Sequence, residues 1–137
     1  MPFAFSEIFY HIVWRIAPAS SPISSPTRRL IRTFLEDSGE RFGCEPIAVS
    51  VLENHIHILV QILPGIAPGL LASLLMEEID HYLAKALAMK NPPQWDDGYG
   101  IVSISKAHIK IVAEYVRNQE SRHKQGKTNS TLERMRQ

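Results

Sequence analysis

Glu53-Asn54-His55-Ile56-His57-Ile58-Leu59-Val60 is the stretch from which the rest of the chain can be read. Two histidines flank one isoleucine and lead into an apolar, β-branched run. In a strand successive side chains point to opposite faces, so His55 and His57 share one face while Ile56 and Ile58 share the other. Residues two apart on a strand are separated by roughly 6.5–7 Å of rise, which lets two imidazoles converge on one metal ion. A pair supplies only two ligands, so the remaining donors and the reacting group have to come from elsewhere in the chain.

Outward from this stretch the pattern alternates between strand and helix. Ile8 to Ile16 is rich in β-branched and aromatic residues and reads as a first, largely buried strand. A Pro- and Ser-rich loop over 17–26 precedes a helix expected from Thr27 to Phe42, which Gly43 can end. Glu45 to Leu52 and Asn54 to Leu63 read as strands joined by the short Leu52-Glu53-Asn54 turn, an antiparallel hairpin. Leucines and alanines at three- and four-residue steps predict a helix over Leu70 to Met89, stopped by Asn91-Pro92-Pro93. A turn over Trp95–Gly100, a short strand over Ile101–Ser105 and a helix from Lys106, capped by Ser105, to Lys124 complete the order. Strand, helix, strand, strand, helix, strand, helix fits an α+β, ferredoxin-like split βαβ sandwich. Its antiparallel sheet would carry helices on one face and leave the other for a site. The expected organisation is a single domain over 1–124 and a polar basic tail over 125–137, within which 131–136 can form a short docked turn.

Composition narrows the class. The chain has 137 residues, 45% hydrophobic and 21% charged, which suits one soluble domain with a proper core. No apolar run has the length of a membrane span, and the N-terminus lacks the basic start and apolar core of a signal peptide. The lone Cys44 excludes an internal disulfide framework and a cysteine-based zinc site, and points to a reducing, cytoplasmic compartment. Charge is unevenly placed. Residues 1–100 carry 7 Lys and Arg against 11 Asp and Glu, a net −4, whereas residues 101–137 carry 8 against 3, a net +5. A basic last quarter is compatible with an acidic polymer such as nucleic acid.

That last quarter also carries chemistry. Tyr115 and Gln119 are four residues apart and share one helix face, and His123 extends the stripe. Ile109, Val112 and Val116 supply the apolar stripe that holds the helix on the domain. A tyrosine phenol is a competent nucleophile beside a polarised electrophile. Gln119 offers a neutral oxygen that, with His55 and His57, suits Mg²⁺ or Mn²⁺ and leaves positions open for a phosphate oxygen and water. His123 reads as a solvated helix end within reach of phosphate or metal, His11 as either a structural hydrogen-bonder or a site residue, and His81 and His108 as surface positions. Arg15, Lys106, Lys110, Arg117, Arg122 and Lys124 are candidate phosphate contacts. Trp14 and Trp95 read first as packing residues.

Four stretches, in order, resemble the single-tyrosine HUH transposases, the insertion-sequence-200-like group and its REP-associated relatives. They are Tyr10-His11-Ile12-Val13-Trp14-Arg15, Asn54-His55-Ile56-His57-Ile58-Leu59-Val60, Trp95-Asp96-Asp97-Gly98-Tyr99-Gly100 and Tyr115-Val116-Arg117-Asn118-Gln119. The resemblance implies metal-dependent cleavage and rejoining of single-stranded DNA through a 5′-phosphotyrosine. It makes Tyr115 the nucleophile, His55 and His57 the paired ligands of Mg²⁺ or Mn²⁺, and Gln119 the third ligand. It further implies recognition of a DNA hairpin, a homodimer, and association with the nucleoid when DNA-bound. The competing expectations are a domesticated relative that binds hairpins without cutting them, and a phosphodiesterase acting on small substrates.

Overall fold

The computed structural model describes residues 5–126 and 128–134, with only the backbone of Glu120 and Lys124. Its strands are β1 (Ile8–Arg15), β2 (Cys44–Val51), β3 (His55–Ile62) and β4 (Gly100–Ile104). Its α-helices are α1 (Ser25–Glu36), α2 (Gly39–Phe42), α3 (Pro68–His81), α4 (Ile109–Arg117) and α5 (Gln119–Lys124). The strands form one antiparallel sheet in the order β2-β3-β1-β4. Each βαβ crossover thus skips a position that another strand fills, which is the split βαβ arrangement of the ferredoxin-like sandwich.

The two central strands are covered on both faces, so their sequences run apolar almost without interruption. One face packs Ile12, Trp14, Ile56, Ile58 and Val60 against Ile31 and Leu35 of α1 and Leu71, Leu75 and Ile79 of α3. The other packs Ala48 and Leu59 against Val112, Ala113, Tyr115 and Val116 of α4, with Leu132 closing the cluster. The helix expected to carry the tyrosine therefore lies opposite α1 and α3. This leaves the histidines of β3 beneath α4.

Several expected elements are shorter or interrupted, each for a local reason. The helix expected over 27–42 divides at Ser38, whose hydroxyl donates to the Leu35 carbonyl at 2.7 Å and ends the first segment. The second segment stops at Gly43, where φ is +66° and a side chain would be strained. The helix expected to Met89 leaves α geometry after His81 and continues as a π-helical turn over Tyr82–Ala86. The final helix begins as a 3₁₀ turn over Lys106–His108 and is broken at Asn118 (φ −102°, ψ 23°). Ser105 sits at the cap position, but its hydroxyl is 2.5 Å from the His108 ring and makes no cap bond to the backbone.

On β2 the register slips between Pro46 and Ala48, leaving Ile47 as the extra residue. A proline has no N–H for the ladder and is tolerated at a bulge on an edge strand. The Ile47 carbonyl accepts from the Arg117 guanidinium at 3.2 Å, which ties the edge of the sheet to the end of α4.

Leu75 is fully buried on α3, whereas Leu70 on the same helix is 56% exposed. Leu75→Ala should cost about 2–5 kcal/mol of unfolding free energy in urea denaturation through the cavity it leaves. Leu70→Ala should stay within about 0.5 kcal/mol. Equal losses would contradict this placement of the core.

Candidate active site

β3 presents His55 and His57 on the face under α4, as the period-two reading requires, and both are buried. Each ring is held by its Nδ1. Asn54 Oδ1 lies 2.6 Å from His55 Nδ1, and His11 Nε2 lies 2.8 Å from His57 Nδ1 across the β1–β3 pair. Asn54 can only accept through that oxygen, so His55 carries its hydrogen on Nδ1 and turns Nε2 inward. With its hydrogen on Nδ1, His57 would donate to His11 in the same way and present a bare Nε2. A partner that fixes one ring nitrogen orients the other, a device typical of imidazoles that bind metal.

The last two helices bring the remaining groups to the same point. Tyr115 on α4 and Gln119 at the start of α5 are both buried. Gln119 Nε2 donates to the Tyr115 carbonyl at 2.9 Å, which turns Oε1 to within 2.9 Å of His123 Nε2. His123 Nε2 is in turn 3.2 Å from His55 Nε2. Tyr115, Gln119, His55 and His57 therefore meet within one chain.

Glu133 enters this group from the segment that follows α5. Its carboxylate oxygens lie 3.3 Å from His55 Nε2, 2.9 Å from His57 Nε2 and 3.1 Å from His123 Nε2. The Tyr115 hydroxyl donates to Glu133 Oε2 at 3.0 Å and accepts from the Asn129 N–H at 2.7 Å. A short turn delivers the glutamate: Asn129 Oδ1 accepts from the N–H groups of Thr131 and Leu132, and Leu132 is buried against α4. The following carbonyl, of Arg134, packs on Gly100, where a Cβ would come within 1.8 Å of it. No side chain larger than hydrogen fits there.

Electrostatics follow from burial. It pushes the His11 pKa down to about 3 and that of His57 to about 4, with neighbouring imidazoles adding to the shift and Glu133 opposing it. His55 moves down for the same first reason, with Glu133 opposing and His123 and Arg15 reinforcing. For Glu133 burial favours the neutral acid, but its contacts with His55 and His57 outweigh that and hold the carboxyl well below the ordinary carboxylate range. Burial raises the Tyr115 pKa, so the phenol is neutral near pH 7; the Asn129 N–H works against the shift and the Glu133 charge with it.

Sequence reasoning selected His55, His57, Tyr115 and Gln119, and the fold brings all of them together. His123, expected as a solvated helix end, instead joins the cluster one turn beyond Gln119, on the stripe it shares with Tyr115. Glu133 was missed. The signal for it was the Asn129-to-Leu132 turn with one apolar residue, which marks a docked segment but does not name the glutamate as its purpose. His11 is the hydrogen-bonding partner of His57, while His81 and His108 are exposed.

The cationic candidates divide. Arg15 donates to the Glu133 carbonyl at 3.4 Å, and Arg122 lies over the Tyr115 ring at 5.2 Å. Lys106 pairs with Glu7 at 2.6 Å, Lys110 is exposed, and the side chain of Lys124 lies outside the described residues.

The split βαβ sheet thus carries paired histidines on a central strand, with a tyrosine-bearing helix over them. Residues 4–119 match the family described as IS200-like transposases, and the chain belongs to that family. Among solved structures it is similar to a Deinococcus radiodurans R1 protein assigned as a transposase, with TM-score 0.68 and 16% identity over 87% of this chain and 95% of that one. It is also similar to a REP-associated tyrosine transposase bound to a REP hairpin, with TM-score 0.62 and 16% identity over 93% of this chain and 74% of that one. No curated protein matches significantly. Among the described residues no helix is long and apolar enough to cross a membrane.

The depressed imidazole values make stability depend on pH. Between about pH 4 and 6.5 the unfolded chain binds protons that buried His11 and His57 refuse, so unfolding becomes easier as pH falls through this window. Glu133 adds a loss of the same sign as pH drops below its ordinary value of 4.5. In EDTA, Tm should be level above pH 6.5 and fall steadily below it. His11→Gln keeps an acceptor for His57 without titrating and should make that fall shallower. An unchanged slope would contradict the assignment.

Proposed function

We propose that this IS200-like transposase cuts and rejoins single-stranded DNA through a 5′-phosphotyrosine on Tyr115. The observation that supports this is the Tyr115 hydroxyl 3.0 Å from a carboxylate that also touches His55, His57 and His123. Attack by Tyr115 Oη forms the O–P bond, breaks the bond from phosphorus to the 3′ oxygen, and releases a 3′-hydroxyl that takes up a proton. The phenolic proton already lies on the path to Glu133. Run in reverse, the same exchange rejoins strands with no external energy source, since one phosphodiester replaces another.

The donor set fits a divalent cation. His57 Nε2 and Glu133 Oε1 are buried without a hydrogen-bond partner despite their close neighbours, as expected of atoms aimed at a shared point. One ligand atom from each of His55, His57, His123 and Glu133 falls within 4.8 Å of the others. His55 and His57 with the oxygens of Gln119 and Glu133 would hold Mg²⁺ or Mn²⁺, and His123 stands close enough to join them. The bound ion would polarise the scissile phosphate as a Lewis acid. His11 and Asn54 keep the two imidazoles in the ligating tautomer, and Gln119, anchored on the Tyr115 carbonyl, keeps the nucleophile in register with the donors.

The substrate in this reading carries a hairpin beside the cleaved strand, by analogy with the structural relative that holds one. A second copy of the chain is the expected partner.

Incubated with hairpin-bearing single-stranded DNA and Mn²⁺ or Mg²⁺, the protein should form an adduct that survives denaturation and disappears with EDTA. Tyr115→Phe should abolish it. His57→Ala should weaken Mn²⁺ binding by about 100-fold or more. An adduct that persists in Tyr115→Phe overturns the nucleophile, and hairpin binding without any adduct in the native chain favours the non-cleaving alternative. Burial holds His55 and His57 neutral, so calorimetry of Mn²⁺ binding at pH 8 should show little dependence on the buffer's ionisation enthalpy. A strong buffer dependence would contradict that protonation state.

A further inference from the structure

Beside the cluster lies a cleft of about 520 Å³ that crosses the outer edge of β2. Arg28, Arg29 and Arg32 of α1 line it from one face of the sheet, Arg117 of α4 from the other, and His55 and His123 form part of its wall. Its one acidic residue is Glu53, 71% exposed and 3.8 Å from Arg28. Three of the 7 cations in the net-acidic first hundred residues are thus gathered in this one concavity.

The partners of Arg29 and Arg32 are exchangeable. Among the described residues Arg29 bonds the Ser25 hydroxyl at 3.1 Å and Arg32 pairs with Glu36 in an exposed i,i+4 contact at 2.7 Å, whereas Arg28 is anchored on the Ile23 carbonyl at 2.7 Å. Such surface pairs contribute little, so a phosphate can replace them at small cost. Arginine is also the side chain best shaped to grip phosphate, through two parallel N–H bonds. No Phe, Tyr or Trp lines the cleft, so it lacks the broad aromatic platforms on which successive bases stack.

We propose that this cleft holds the phosphate backbone of the single strand that leads to Tyr115, gripping it without regard to base identity. The inference rests on the reading of the chain as a single-stranded-DNA transposase and extends it to where the strand lies. The cleft touches the site directly through His55 and His123, so a strand held by the arginines is delivered to the imidazoles. Arg117 also bonds the carbonyl of the bulged Ile47, which ties this side of the cleft to the sheet edge.

The test uses the full chain and labelled oligo(dT), with binding followed by anisotropy over a salt series. Arg29→Gln/Arg32→Gln should weaken binding about tenfold and make the salt slope shallower by about 1.4, since each phosphate contact on a single strand contributes about 0.7. Lys85→Gln/Lys90→Gln removes the same charge from exposed positions outside the cleft and should leave both quantities near wild type. Unchanged Mn²⁺ affinity in the arginine variant would show that the cluster is intact. Equal losses in the two pairs, or no loss in the arginine pair, overturn the cleft even where wild type still forms the Tyr115 adduct. Arginine-dependent binding without an adduct supports the cleft and overturns the nucleophile instead. A wild-type chain that does not bind oligo(dT) overturns the cleft, while the adduct on hairpin-bearing DNA decides the nucleophile separately.

Discussion

A carboxylate facing three imidazole nitrogens inside a protein cannot stand without hydrogens or a cation between them. Glu133 is held ionised, while burial pushes His55 and His57 toward neutrality. Four sets of lone pairs brought this close repel one another unless protons or a cation lie between them. This balance explains why so much of the fold converges here. The sheet supplies two of the rings, α5 supplies the third, and the final turn supplies the carboxylate. The arrangement is costly to assemble, and its four donors are grouped closely enough that they could hold a metal ion.

The sheet order makes that convergence possible. Because β1 lies between β3 and β4, His11 stands beside His57, and the turn after β4 starts the chain directly toward α4. The two faces of the sheet then divide their work. Ile12, Ile56 and Ile58 anchor α1 and α3, while the opposite face surrounds its polar groups with Leu59, Val112 and Val116. Apolar contacts flank the polar cluster while His123 faces the cleft, and the burial of His55 and His57 strengthens its electrostatics.

Much of this was legible in the sequence because it rests on periodicity. Alternation placed His55 and His57 on one face, a four-residue step placed Tyr115 beneath Gln119, and the order of elements gave the split βαβ sheet. What escaped depends on interruptions and on tertiary contacts. Ser38 and Asn118 break helices that a hydrophobic stripe alone would carry through, and His123 reads as solvated because its partners His55 and Glu133 meet it only in the folded chain. Glu133 escaped because a polar segment of low periodicity shows its purpose only through tertiary contacts with Leu132 and Gly100. Charge totals misled in a similar way. The acidic sum over the first hundred residues concealed a local concentration of arginine on α1, since a sum keeps no record of where side chains point.

The tight turn between β2 and β3 has a consequence for how the chain can change. The Leu52 N–H donates to the His55 carbonyl at 2.9 Å, closing the turn immediately before the first histidine. Strand side chains obey parity, so sliding β3 by one residue would drive both imidazoles among Ile31 and Leu75 and carry Ile56 and Ile58 to the face under α4. Sliding it by two would restore the face but carry the pair about 6.6 Å away from the tyrosine helix. The length of this turn is therefore quantised: insertions and deletions there are read as all or nothing, and the fold and its chemistry are inherited through a single integer.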